Sequence, residues 1–391
     1  MSEWIEYKVA DLGRVLTGKT PKTSNREYYD GIIPFITPSD DMTVKYIYHT
    51  SKTLTEEGAQ SVKNSIIPAG TICVSCIGSD LGKVVITTER SVTNQQINSI
   101  IVDESKFNLD FVYYVMTMLG KLMNHHSKTS TAVPIVNKSQ FSDYSFMCPD
   151  IEQQSKIGAM LAALDKKIET NNKINRNLSE QAKALFEEEL LKFDSVPEGW
   201  KKGSLSDIAD YLNGLAMQKF RPGDDEKGLP VLKIKELRQG SCDANSELCS
   251  LNIKPEYIIH DGDVIFSWSG SLLVDFWCGG ECGLNQHLFK VTSKKYDKWF
   301  YYAWTLYHLD RFIAVAADKA TTMGHIKREE LSKAEVLIPD SDSYKRIGEV
   351  LGPLYDMIIS NRVENRRLAT LRDELLPMLM SGERDVSEVE L

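Results

Sequence analysis

The sequence predicts a mixed α/β (α+β) chain: two globular units in a pseudo-twofold tandem repeat, separated by two long antiparallel coiled-coil helices. Three observations predict it. The chain is written twice, each copy ends in a helical heptad seam, and each copy begins with short strand-like runs between turn residues.

The repeat is read by shifting the sequence against itself. At an offset of 196, Trp4 meets Trp200, Gly18 meets Gly214 and Pro34 meets Pro230. At 192, Gly70, Ser75 and Gly78 meet Gly262, Ser267 and Gly270, and at 191 Asn94-Gln95 meets Asn285-Gln286. From Pro149 onward the offset locks at 190. A drifting offset followed by a fixed one divides each copy into a variable globular part and a constant tail. The resulting division is 1–149, 150–192, 193–340 and 341–391.

The globular parts read as strands and turns. Ile32–Ile36, Thr71–Ile77, Val84–Thr87 and Asn98–Val102 are β-rich runs, and Gly70 and Gly262 mark turns leading into strands. Phe111–Met116 and its copy Trp299–Trp304 look like helix starts. The tails are helical throughout. Ile157, Leu161, Leu164, Ile168, Asn171, Asn175, Leu178 and Leu185 alternate in steps of four and three, or multiples of that pattern, which is a coiled-coil seam. Ile347, Leu351, Leu354, Ile358, Asn361, Asn365, Leu368 and Leu375 repeat it. No proline interrupts 151–191, so a helix of about 40 residues and roughly 60 Å is expected. Paired Asn at matching seam positions are expected to fix register or partner choice at a cost in stability. These sixteen residues are the candidates for helix pairing.

Bulk composition excludes several classes. The 391 residues are 42% hydrophobic and 26% charged, the mix of a soluble globular protein. No apolar run approaches a bilayer span, and the polar N-terminus lacks a signal region, so a cytoplasmic protein with no membrane association is expected. Seven scattered cysteines fit reduced thiols. The net charge is −9, and the four segments sum to −1, −1, −4 and −3, so no segment is a basic footprint. DNA binding by such a chain needs local basic patches, or partners that supply phosphate contacts.

Catalytic patterns are present but poorly supported. Gly13–Thr20, G-R-V-L-T-G-K-T, satisfies the phosphate-binding loop pattern. Such a loop needs a buried strand before it and a helix after it, whereas Pro21 and Lys22-Thr23-Ser24-Asn25 follow here. The other half keeps the glycine as Gly214 and has Leu215-Ala216 in place of Lys19-Thr20. Leu272–Asp275 could pose as a Walker B strand, but it lies in the other half. Pro149-Asp150 and Asp165-Lys166-Lys167 mimic a nuclease string, yet they fall on the seam helix, whose second copy has Tyr355 for Asp165. A solvated helix face is the expected state there. Cys73-x2-Cys76 with Cys278-x3-Cys282 is a weak zinc case, because residues three apart on a strand face opposite sides. The histidines have no catalytic partner. No metal site and no catalytic residue is expected.

The order of these features resembles a known family. The Gly18-Lys19-Thr20-Pro21 turn, Ile67–Ile72, Ile77-Gly78-Ser79, Asn94-Gln95-Gln96, and the stretch KIGAMLAALDKKIETNNKINRNL after Pro149 together resemble the specificity subunit of type I restriction–modification enzymes. The resemblance spans both halves. The second half departs where Ser341–Tyr344 replaces Ile151–Gln154 and where Asp275-Phe276 interrupts the strand-edge pattern. The resemblance implies a non-catalytic reader of double-stranded DNA. Residues 1–149 and 193–340 would be target recognition domains, each reading half of a bipartite site. The helices would hold the spacing and dock modification subunits, two of them, which would methylate adenine with S-adenosylmethionine. Separate restriction subunits would use ATP and Mg to translocate and cut, and this chain itself would hold no cofactor.

Base reading would fall to polar, locally basic loops. In the first half these offer Lys19, Thr20, Lys22, Ser24, Asn25, Arg26, Thr37, Ser39, Lys128, Thr129, Ser130 and Thr131. In the second they offer Lys219, Arg221, Lys233, Lys235, Arg238, Lys319, Thr321, Thr322 and Lys327. Asn94-Gln95 and Asn285-Gln286 recur in both halves, which suggests a structural hydrogen-bonding role. Two rival readings are an NTPase using Gly13–Thr20 and a coiled-coil scaffold that never touches bases.

Overall fold

The computed structural model describes residues 4–127, 135–318, 327–384 and 386. It divides into two compact units, residues 1–166 with 368–391 and residues 167–367. The boundaries fall inside the two long helices, Ile151–Phe186 and Ser341–Met380, the first extended by a π-helical turn over Glu187–Leu191. Each unit therefore contains the start of one long helix and the end of the other. Among the described residues, no helix is long and apolar enough to cross a membrane.

In unit 1 a five-stranded sheet runs in the order Gly13–Thr17, Ile97–Val102, Ile72–Ser75, Val84–Thr87, Tyr46–Ile47. A four-stranded sheet runs Thr53–Leu54, Tyr29–Ile36, Ser91–Thr93, Ile66–Ile67, with a parallel pairing between Tyr29–Ile36 and Ser91–Thr93. The strand Ile5–Lys8 pairs antiparallel with Ser145–Cys148, the segment that leads into the long helix. Alternation along the strands splits the core. Ile72, Val74, Ile86 and Ile100 join Phe111, Tyr114 and Val115 of the helix Leu109–Ser127. Cys73, Val85 and Ile97 face Ile36, Met42 and Ile67 instead.

Unit 2 repeats this plan. Asp210–Asn213, Leu288–Thr292, Val264–Ser267 and Leu273–Phe276 form one sheet, and Leu248–Cys249, Leu229–Leu232, Cys282–Leu284 and Ile258–Ile259 form the other. Leu229–Leu232 runs parallel to Cys282–Leu284, and Lys201–Ser204 pairs with Glu335–Ile338. No counterpart of Tyr46–Ile47 joins the first sheet among the described residues. The suspected interruption at Asp275-Phe276 lies within a regular strand.

The heptad residues divide between two jobs. Ile157 and Leu161 are buried in the unit 1 core beside Phe111, Leu376 and Leu379, with Leu375 partly buried against it. Ile347, Leu351 and Ile358 are buried in the unit 2 core beside Trp299 and Phe300, flanked by Leu178, Leu185 and Leu354. Leu164, Ile168 and Leu368 are half-buried. The apolar seam residues of both helices thus join the globular cores, and the asparagines interrupt the seam between them. Polar side chains make the helix-to-helix bonds in unit 2. The Asn171 amide donates to Asn365 Oδ1 at 2.9 Å and to Glu364 at 2.7 Å, and Asn361 donates to Asn175 Oδ1 at 2.9 Å. The antiparallel pairing expected from the sequence is read directly from these contacts. They obey the repeat, because a shift of 190 carries the pair Asn171/Asn365 onto Asn361/Asn175.

The helix starts are fastened by different chemistry in the two copies. Gln154 accepts from the Asn108 backbone N–H at 2.9 Å, and Asn108 in turn accepts from Phe111 at the first turn of its helix. At the matching position Tyr344 accepts from the Asp297 backbone N–H at 2.7 Å. The replacement of Ile151–Gln154 by Ser341–Tyr344 therefore preserves the connection.

Candidate nucleic-acid interface

In each unit, two turns close on each other at one end of the first sheet. In unit 1, Gly18 N–H donates to Ile97 O at 3.1 Å and Lys19 N–H donates to Thr93 O at 2.9 Å. A Cβ on Gly18 would stand 2.2 Å from Asn94 O, so only glycine permits this approach. Asn94 is buried; its Oδ1 accepts from Gln96 N–H and its amide donates to Gln96 Oε1, both at 3.0 Å. Gln95 at the tip is exposed, and Thr20 Oγ1 donates to its Oε1 at 2.7 Å.

Unit 2 builds the same assembly from Gly214 and Asn285. Gly214 N–H donates to Leu288 O at 3.0 Å and Leu215 N–H to Leu284 O at 2.9 Å. A Cβ on Gly214 would meet Asn285 O at 2.3 Å. Buried Asn285 accepts from His287 N–H at 3.3 Å. Gln286 again sits at the tip, half-buried, with its backbone N–H donated to Leu215 O at 2.8 Å. Beside it Trp268 stacks on Phe289 at 5.6 Å and donates from Nε1 to Asn213. In unit 1 Thr17 and Asn98 occupy the matching ground, joined at 2.6 Å.

This geometry removes the phosphate-binding loop. Its four central residues belong to the strand Gly13–Thr17, paired antiparallel with Ile97–Val102, so their N–H groups cannot converge on an anion. Only a single 3-10 turn, Arg26–Tyr28, follows. The nuclease-like string is also dispersed. Asp150 accepts from Gln153 N–H at the helix start, while Asp165 receives the Tyr114 hydroxyl at 2.5 Å and Arg372 Nη1 at 2.7 Å. The expectation of a solvated face fails at Asp165, whose side chain is 15% exposed and held in this network. Cys73 and Cys76 lie in separate core clusters, and burial pushes their thiols up to about 12 and about 11. Among the described residues, no three His, Cys, Asp or Glu side chains are grouped to hold a metal.

The basic candidates are not equivalent. Lys19, Lys22, Ser24, Asn25 and Arg26 are exposed on the segment that follows the Gly18 turn, and the three cations make no ion pair among the described residues. Thr37 closes its own turn, donating from N and Oγ1 to buried Asp40 at 2.7 and 3.1 Å, with Ser39 Oγ at 2.7 Å from Thr37 Oγ1. In unit 2, Lys233 pairs with Glu247 at 2.5 Å, Arg221 with Glu247 at 3.4 Å and Lys235 with Asp243 at 3.4 Å. The Lys233 contact lowers the Glu247 carboxyl from its ordinary value. The sequence could not show these carboxylates, which stand 8 to 26 positions away in the chain. Lys235 and Arg238 also border a groove of about 390 Å³ with Ile234, Gln239 and Ser271. Lys219 and Lys327 are exposed. Lys128, Thr129, Ser130, Thr131, Lys319, Thr321 and Thr322 lie outside the described residues.

Comparison with known proteins agrees with this architecture. The type I restriction modification DNA specificity domain matches twice, over residues 1–180 and 197–369. The chain is 26% identical over 422 residues to the type I restriction enzyme MjaIX specificity subunit of Methanocaldococcus jannaschii, covering 99% of this chain and 95% of that one. It is 34% identical over 179 residues to the HindI specificity subunit of Haemophilus influenzae, covering 45% of this chain and 39% of that one. The crystal structure of a type I restriction–modification S subunit from M. genitalium superposes with a TM-score of 0.56 at 14% identity, covering 99% and 97% of the two chains, which shows a shared fold. With two specificity domains matched across most of its length, the chain belongs to the type I restriction–modification DNA specificity family.

Proposed function

We propose that this chain is the non-catalytic, DNA-reading subunit of a type I restriction–modification complex. Residues 1–149 read one half of a bipartite site and residues 193–340 read the other. The helical segments 150–192 and 341–391 set the spacing and dock two modification subunits. Restriction subunits complete the assembly in the cytoplasm. S-adenosylmethionine, ATP and Mg belong to those partners, which also supply phosphate contacts that an acidic chain lacks.

One observation carries the reading. The two units repeat one scaffold down to the hydrogen bonds of the Gly18 and Gly214 turns, while flanking side chains differ, Lys19-Thr20 against Leu215-Ala216 and Asn98 against Phe289. A conserved frame with divergent exposed residues suits two readers of unlike sequences. Mapping N6-methyladenine across the genome with and without the chain tests it. The expected result is one split motif that disappears when the chain is removed. An unchanged map, or ATP turnover by the purified chain that Lys19→Ala abolishes, would refute it.

A further inference from the structure

The recurring Asn-Gln pair divides into two roles in the structure. Asn94 and Asn285 are 7% and 6% exposed, and their carbonyls close the turn by accepting from the backbone two residues on. They are structural. Gln95 and Gln286 stand at the tips, one exposed and one half-buried, on turns seated against a glycine that tolerates no Cβ. The residues that precede Gln95 are thus closely held, and its amide is oriented by Thr20, since Oε1 accepts the Thr20 hydroxyl at 2.7 Å. Exposed Lys19 and Lys22, without an ion pair among the described residues, lie in the adjoining segment, as phosphate contacts flanking a base-reading side chain would.

A primary amide presents one donor and one acceptor side by side. That pattern matches the N7 acceptor and N6 donor of adenine in the major groove. A residue shared by two readers of different sequences suits a base pair shared by both half-sites. From this the geometry points to Gln95 and Gln286 as specificity-determining residues, each contacting an adenine at the equivalent place in its own half-site. The inference rests on the reading that each unit contacts one half-site.

The test uses the full chain in its native complex, with modified sites mapped for single variants. Gln95→Ala relaxes discrimination at one A·T position of one half-site by tenfold or more and leaves the other half-site intact. Gln286→Ala does the same at the equivalent position of the other half. Gln95→Glu, the same shape without the donor, shifts the preference at that position from adenine toward cytosine. Both variants unfold at the wild-type temperature, because Gln95 is exposed, whereas Asn94→Ala unfolds earlier. An unchanged motif in Gln95→Ala and Gln95→Glu overturns the assignment. So does loss of an entire half-site together with lowered unfolding temperature, which would make Gln95 structural. If deleting the chain leaves the methylation map unchanged, the underlying function fails, and this result is distinct from either outcome above.

Discussion

The two units dock their long helices with the same backbone and, at three matched positions, different chemistry. In unit 1, Tyr114 of the helix Leu109–Ser127 donates to Asp165, which also receives Arg372. Next to them Lys45 pairs with Asp110 at 2.8 Å, lies 3.3 Å from the Tyr114 hydroxyl and sits over the ring of Tyr113. Burial and the Asp165 charge raise the Tyr114 hydroxyl far above its ordinary range, so it remains a donor. A cleft of about 420 Å³ opens here, lined by Lys83, Gly120, Lys121, Asp165 and Arg372 among others. In unit 2 the repeat places Tyr302, Tyr355 and Ala182 at the positions of Tyr114, Asp165 and Arg372. Tyr302 stacks on Phe276 at 3.9 Å and meets Tyr355 edge-on at 5.1 Å, and Phe186, Trp304 and Phe312 complete the core. At these matched positions one junction is a hydrogen-bonded charge network and the other is aromatic packing, with the Arg362–Asp275 pair beside the stack at 2.6 Å. The repeat keeps which helix positions meet the globular core, while the type of interaction there is free to change.

Several substitutions test this contrast. The largest effect is expected from Tyr355→Ala, which removes a buried ring from the unit 2 stack and costs about 3–5 kcal/mol. Hydrogen exchange should show the loss in Trp299–Trp304 and leave Leu109–Ser127 protected. Next comes Arg372→Ala, which leaves Asp165 facing Tyr114 without its cation. Because both charges are only partly buried, a cost of about 2 kcal/mol is expected, confined to unit 1. The double variant Asp165→Asn with Arg372→Met should recover more than half of that loss, as removing both charges spares the uncompensated one. An additive result would show that the two charges act independently.

A smaller effect concerns acid. Arg366 lowers the Asp261 carboxyl, which receives both guanidinium nitrogens at 2.7 Å, and Arg346 lowers Glu189 in the same way. Depressed folded values mean that this stability is fully present above about pH 4, the unfolded range, and is lost as pH falls through the folded values. Unfolding midpoints measured between about pH 5 and pH 2 should therefore drop less in Arg366→Met than in the wild type. The smallest change is expected from Lys19→Ala, which removes an exposed side chain and should alter stability by less than about 0.5 kcal/mol.

Much of this architecture was legible in the sequence, for identifiable reasons. The duplicated glycines, the locked offset of the tails and their helical period report backbone requirements, which repeat because the scaffold repeats. Two kinds of feature were hidden. Extended residues inside a short motif, such as Arg14-Val15-Leu16, match a loop pattern by letters alone, and only their pairing with Ile97–Val102 reveals a strand. Long-range neutralisation was hidden as well. Lys233 and Arg221 read as free cations until Glu247 is brought beside them, and Asp165 read as solvated until Arg372 arrives from more than two hundred residues away. The seam gave the helices and their antiparallel sense, yet not the use of Ile157, Leu161, Ile347 and Leu351 as core residues of the globular units.

The proposed division of labour is that each unit reads its own half of one DNA site. Replacing residues 1–149 with the corresponding unit of another specificity subunit, and mapping methylated adenines in cells carrying the hybrid, tests it most directly. One half of the split motif should change to that of the donor while the other half remains. A motif unchanged in both halves, or altered in both, would contradict it.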